Sequence, residues 1–114
     1  MSYRALIEKW VALFNAGDAR QIAQLYAEEA VNHQVALEPV VGRAAIQKMF
    51  QAEFDAYEMV CIPENIFVDG NVVILEWRDP KGLRGCGFFW IEDGKIANQR
   101  GYWDRLSMMN QQSS

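Results

Sequence analysis

The stretch Leu83 to Asp104 constrains this chain most. Two apolar and aromatic arms flank Glu92-Asp93-Gly94-Lys95, a tight-turn signal, so the stretch reads as a long β-hairpin. Neither arm alternates cleanly: Phe88 to Ile91 is four apolar residues in a row, and Asn98, Gln99 and Arg100 interrupt the second arm between Ile96 and Tyr102. A strand that is apolar on both sides is buried on both sides. Polar residues breaking into such a sheet meet either solvent or a lined pocket. The hairpin therefore points to a ligand-binding domain before it points to any reaction.

The chain leading into it changes period once. Leu6, Ile7, Trp10, Val11 and Phe14 recur at helical spacing, and Asn15-Ala16-Gly17 ends that first helix. Asp18 with Gln21 three residues on is the start of a second, short helix whose apolar face is Ile22, Leu25 and Tyr26. Val31 to Leu37 is extended and is broken at Glu38-Pro39. A third helix over Arg43 to Ala56 follows Gly42 and buries Ile46, Met49, Phe50 and Phe54. Beyond it, Tyr57 to Val68 and Val72 to Arg78 read as strands, with Cys61-Ile62-Pro63 a bulge or edge position. Leu106 to Ser114 is a tail that frays. The sum is a single α+β domain over residues 1–114, a mostly antiparallel sheet curling around three helices.

Several function classes drop out. A formal charge of −4, with Lys and Arg scattered, argues against nucleic acid or an anionic membrane as partner. No apolar run approaches a membrane span and nothing resembles a signal peptide, so Cys61 and Cys86 are expected as free thiols in a cytoplasmic protein. With no threonine, and serine only at Ser2, Ser107, Ser113 and Ser114, there is no nucleophile elbow. One histidine and two separated cysteines leave no expected metal site, and no glycine-rich loop has a phosphate-cradling pattern, so no cofactor is expected.

N-A-G-D at Asn15 to Asp18, L-Y-A-E-E-A-V at Leu25 to Val31, E-P-V-V-G-R-A-A-I at Glu38 to Ile46, D-G-K-I and R-G-Y-W-D together resemble the SnoaL-like branch of the NTF2-like superfamily. The resemblance implies a cone-shaped α+β fold whose curved sheet closes a pocket against the helices, and a homodimer formed through the outer sheet face. Its members include ketosteroid isomerases, polyketide cyclases and limonene-epoxide hydrolases, so fold alone leaves the reaction open.

Carried over residue by residue, the isomerase pattern fails here. The oxyanion-holding tyrosine falls at Trp10, the base at Gln34, and no Asp or Glu lies between Pro80 and Ile91 for the third role. The epoxide hydrolase pattern keeps one aspartate, Asp79; its arginine falls at Trp77, its second aspartate at Gly101, and its water-holding residues at Asn32 and Gln34. Cyclase chemistry asks only for one well-placed acid or base, which His33 or Asp104 would supply.

The candidate catalytic residues are thus His33, Asp79 and Asp104. Each has a structural alternative: His33 as a satisfied strand histidine, Asp79 as the opening of the Asp79-Pro80 turn, Asp104 as a helix cap. The candidate pocket combines Trp10, Trp77, Trp90 and Trp103, flat apolar walls for a ring-bearing molecule, with Asn32, Gln34 and Gln99 to orient a carbonyl or hydroxyl. Two functions remain open. One is a cofactor-independent lyase, isomerase or hydrolase on a small hydrophobic substrate; the other is a non-catalytic ligand-binding or dimerisation domain.

Overall fold

In a computed structural model describing residues 2–113, a single six-stranded sheet curves against helices on one side. Helix α1 (Tyr3–Ala16) starts at Ser2, whose side chain accepts from the Ala5 N–H, and stops at Gly17 in the left-handed conformation at φ 67°. Asp18 then caps α2 (Ala19–Ala23) by accepting from the Gln21 N–H at 2.9 Å. Both boundaries fall where the sequence signals put them.

The second helix is shorter than its apolar residues suggest. Leu25 N–H bonds back to Ile22 O, the chain turns, and Tyr26 opens strand β1 (Tyr26–Gln34). Arg43, the first residue of α3 (Arg43–Ala56), locks that entry, donating from Nε and Nη2 to the Tyr26 carbonyl at 3.0 and 2.8 Å. Between these elements, β2 (Val40–Val41) pairs antiparallel with β1. β3 begins only at Ile62 and runs to Asp69; the residues before it are irregular, and Asn15 ties them to α1 by bonding both the carbonyl and the N–H of Cys61. The ladder shifts register between Pro63 and Asn65, as the proline requires.

β4 (Val72–Arg78), β5 (Arg84–Glu92) and β6 (Lys95–Trp103) complete the sheet in the order β2-β1-β6-β5-β4-β3, with β1 and β6 the parallel pair. The β5–β6 turn has positive φ at both Asp93 (51°) and Gly94 (75°), the twist-matched two-residue turn. The final segment is not frayed: Arg105–Ser113 forms α4, because Asp104 caps its first turn. No helix among the described residues is long and apolar enough to cross a membrane.

Alternation then divides the side chains. Val73 and Leu75 of β4, Phe89 and Ile91 of β5 and Ile96 of β6 face the helices and meet Ile7, Trp10, Ile46 and Phe50 in one core. Cys61 is buried there, which pushes its thiol up to about 12. Phe88, Trp90, Arg100 and Tyr102 take the outer face, where Phe88 stacks on Trp90 and the Arg100 guanidinium lies 4.8 Å over the Trp90 ring.

Candidate functional site

On β1 the inner face belongs to Tyr26, Ala30, Asn32 and Gln34, not to Val31, His33 and Val35. The Tyr26↔Ile96 and Val31↔Asn98 pairings with β6 cannot both fit one uninterrupted register, yet Tyr26, Ala30 and Asn32 keep one parity along β1 and share its buried face. Tyr26 is 0%, Asn32 1% and Gln99 4% exposed, so three polar side chains sit inside an apolar core. Rings enclose them: Trp10 stacks on Phe14 at 5.1 Å and meets Phe89 edge-on at 5.2 Å, while Phe50 stacks on Phe54 at 5.6 Å.

Two hydrogen-bond chains run through this interior. In the first, Trp10 Nε1 donates to the Tyr26 hydroxyl at 3.0 Å, and that hydroxyl donates to Gln99 Oε1. In the second, Trp103 Nε1 donates to Gln34 Oε1 at 2.9 Å and Gln34 Nε2 donates to Asn32 Oδ1 at 2.7 Å. The second chain ends with Asn32 Nδ2, a buried donor that makes no hydrogen bond. Leaving such a group unsatisfied costs about 1–3 kcal/mol.

Glycines make room for this arrangement. A Cβ at Gly101 would lie 2.0 Å from Gln34 Oε1, and one at Gly85 would lie 2.3 Å from the Trp77 ring. Gly101 is thus the space into which Gln34 reaches, and Gly85 the floor under Trp77.

One half-buried carboxylate borders this interior from α3. Glu53 follows Ile46, Met49 and Phe50 on α3 at the next step of the buried stripe, half-buried, beside Phe54. Burial pushes its carboxyl up to about 7. Burial raises the Tyr26 phenol well above the ordinary range; the Trp10 donor lowers it, the Glu53 charge raises it further, and the nearby Asn32 amide, outside hydrogen-bond geometry, lowers it least. Among the described residues, no ion pair or side-chain hydrogen bond engages the Glu53 carboxylate.

The three candidate acid/base residues lie apart from this interior and from one another. His33 is on the outer face of β1, its Nε2 3.1 Å from the Leu37 carbonyl oxygen. Asp79 Oδ1 accepts from the Lys81 and Leu83 N–H groups at 2.9 Å each and shapes the β4–β5 loop. Asp104 caps α4 through the Ser107 N–H and hydroxyl, and those bonds lower its pKa. Of the candidate pocket residues, Trp10, Asn32, Gln34, Trp77, Gln99 and Trp103 take the inner face. Trp90 does not: Phe89 and Ile91 point inward, so Trp90 between them points out.

Two residues of the interior, Tyr26 and Glu53, escaped the sequence reading. Tyr26 continues the apolar period of a helix that ends three residues before it. Glu53 carried a visible signal: it is a carboxylate in a core slot of the stripe Ile46, Met49, Phe50, Phe54. Among the described residues, no three His, Cys, Asp or Glu side chains group closely enough to hold a metal ion.

Residues 7–99 match the family model of the SnoaL-like domain. Among solved structures, an NTF2-like protein of unknown function from Cytophaga hutchinsonii superposes with a TM-score of 0.83 at 15% identity, covering 96% of each chain. SalBIII, an epoxide hydrolase/cyclase-like enzyme in pyran ring formation in the polyether salinomycin, gives 0.80 at 22% identity over 91% of this chain and 92% of its own. An uncharacterized cystatin fold protein from Novosphingobium aromaticivorans gives 0.82 at 14% identity over 90% and 98%. No curated protein matches significantly.

Proposed function

Because the chain belongs to the SnoaL-like family, we propose that its interior binds a small, largely hydrophobic, ring-bearing molecule through one oxygen acceptor. The observation that carries this reading is the buried, unpartnered Asn32 Nδ2. Tyr26 and Gln99 already engage one another, and Gln34 is held between Trp103 and the Asn32 carbonyl oxygen, so the Asn32 amide N–H offers the donor left for a ligand, among aromatic walls at Trp10, Phe50 and Phe89. Chemistry on that molecule would be of the cofactor-independent lyase, isomerase or hydrolase kind; the likeness to SalBIII supports an oxygen-bearing substrate. Binding without turnover is the second reading, favoured by the distance of His33, Asp79 and Asp104 from the core. We also propose that the outer face pairs with a second copy of the chain, supported by the exposure of Phe67 and Tyr102 there.

The four indoles make a direct test. Trp10 and Trp103 donate inside, whereas Trp90 lies on the opposite face. In a 15N-labelled sample titrated with 1-indanone, the Trp10 indole and Asn32 amide signals are expected to shift while the Trp90 indole stays. Shifts confined to Trp90, or none at saturating probe, overturn interior binding.

A further inference from the structure

An indole heads each hydrogen-bond chain of the interior, and an indole N–H can only donate. Trp103 Nε1 donates to Gln34 Oε1 at 2.9 Å, so the other lobe of that carboxamide, Nε2, is the one that meets Asn32 Oδ1 at 2.7 Å. Turning the Asn32 amide over would set N–H against N–H. Its oxygen is therefore held against Gln34, and its Nδ2, buried and without a hydrogen bond, is held on the opposite lobe. Trp10 acts alike on the second chain. Its N–H engages the Tyr26 oxygen, the phenol proton goes to Gln99 Oε1, and the Gln99 Nε2 is turned from the phenol.

The two chains end side by side. On the parallel β1–β6 ladder Asn32 is the register partner of Gln99, and Gln34 that of Gly101. Neighbouring strands lie about 4.8 Å apart, which puts both buried amides within reach of one oxygen atom. Gly101 presents no side chain opposite Gln34; a Cβ there would come within 2.0 Å of Gln34 Oε1. The Gln34 carboxamide thus fills that space and bridges from Trp103 on β6 to Asn32 on β1.

We propose that Trp103 and Trp10 are positioning residues that fix Asn32 and Gln99 as donors, so that the interior takes a ligand oxygen that only accepts, as in a ketone, ester or ether, and disfavours ligands that offer N–H or O–H there. This rests on the interior-binding reading above and supplies what that reading leaves open, the residues that set the polarity of the site and the ligands it rejects. A carbonyl oxygen has two lone pairs and satisfies both amides. A ligand N–H in the same place would face protein N–H and leave buried donors unsatisfied.

The experiment titrates the whole protein, 15N-labelled, with bicyclic probes of similar size: 1-indanone, which only accepts, indole, which only donates, and indane, which does neither. The Trp10 indole and Asn32 carboxamide signals report binding. 1-Indanone is expected to bind about tenfold more tightly than indole, with indane between them. Trp103→Phe keeps an aromatic ring but frees the Gln34 amide to turn and Asn32 to follow, so the indanone preference over indole should fall toward parity. A purely packing role for Trp103 would weaken all three probes alike and leave that preference intact. Gly101→Ala displaces Gln34 with Trp103 in place and should lower the preference likewise, which keeps the test independent of either variant's folding. A parent that binds indole or indane at least as tightly as 1-indanone, or a preference that the variants leave unchanged, would overturn the inference while interior binding stands. Failure of all three probes to bind at saturating concentration overturns interior binding and this inference with it.

Discussion

Glu53 shows how much a single side chain can decide. Its folded-state pKa of about 7 stands above the ordinary 4.5, so between those values the folded protein holds a proton that the unfolded chain has released. Stability is therefore highest below about pH 4.5 as far as this group is concerned, and falls as the pH rises through 7. Glu53→Gln removes that dependence. Urea unfolding should show the variant equal to the parent near pH 4.5 and more stable by roughly 1–3 kcal/mol at pH 8. A parent and variant that run parallel over the whole range would mean that Glu53 is solvated in the fold. Tyr26 differs in kind: its hydroxyl both accepts and donates, and its buried phenol serves geometry rather than titration.

At the scale of an element, the β5–β6 hairpin and β1 decide what reaches the interior, and their glycines are its spacers. The two close approaches predict different outcomes. At Gly85 an added Cβ meets a rigid indole at 2.3 Å and the Tyr102 carbonyl oxygen at 2.9 Å, neither of which can yield locally. Gly85→Ala should cost about 1–3 kcal/mol. At Gly101 the clash is with the far end of Gln34, a flexible side chain that can swing aside. Gly101→Ala should leave thermal stability nearly unchanged but break the Trp103–Gln34–Asn32 chain, seen as a displaced Trp103 indole signal. Equal losses of stability in the two variants would contradict the assignment of Gln34 to the space above Gly101. Much at this scale was legible beforehand. The Asp18 cap of α2, the Asp93-Gly94 turn and the bulge at Pro63 are written in local residue chemistry. The early end of α2 was not, because Leu25 and Tyr26 continue its apolar period and only pairing with β6 makes Tyr26 a strand residue.

For the molecule as a whole, the sheet has two faces of unlike fate. The helices cover one; the other carries Phe88 and Trp90, with Phe67 55% and Tyr102 43% exposed. Apolar groups gathered on one face favour burial against a partner. Light scattering on the protein in solution should give about twice the 13.1 kDa chain mass. A Phe67→Glu, Tyr102→Glu double variant should return the single-chain mass with its Trp10 indole signal unmoved. A parent already at the single-chain mass would sink the dimer.

Composition, helical period, caps and turns by themselves determined an α+β domain with a long C-terminal hairpin, since these are local or short-range properties of the chain. Gln99 stood out as a polar residue in an apolar strand, whereas Asn32 and Gln34 came into view through the family resemblance. Which way those strands face was decided only by tertiary structure. Alternation has a period of two and leaves open which parity is inner; packing against the helices puts Asn32 inside and leaves His33 and Trp90 on the other face. The influence of Glu53 on Tyr26 is likewise tertiary: it needs α3 packed on β1, an arrangement that no local pattern encodes.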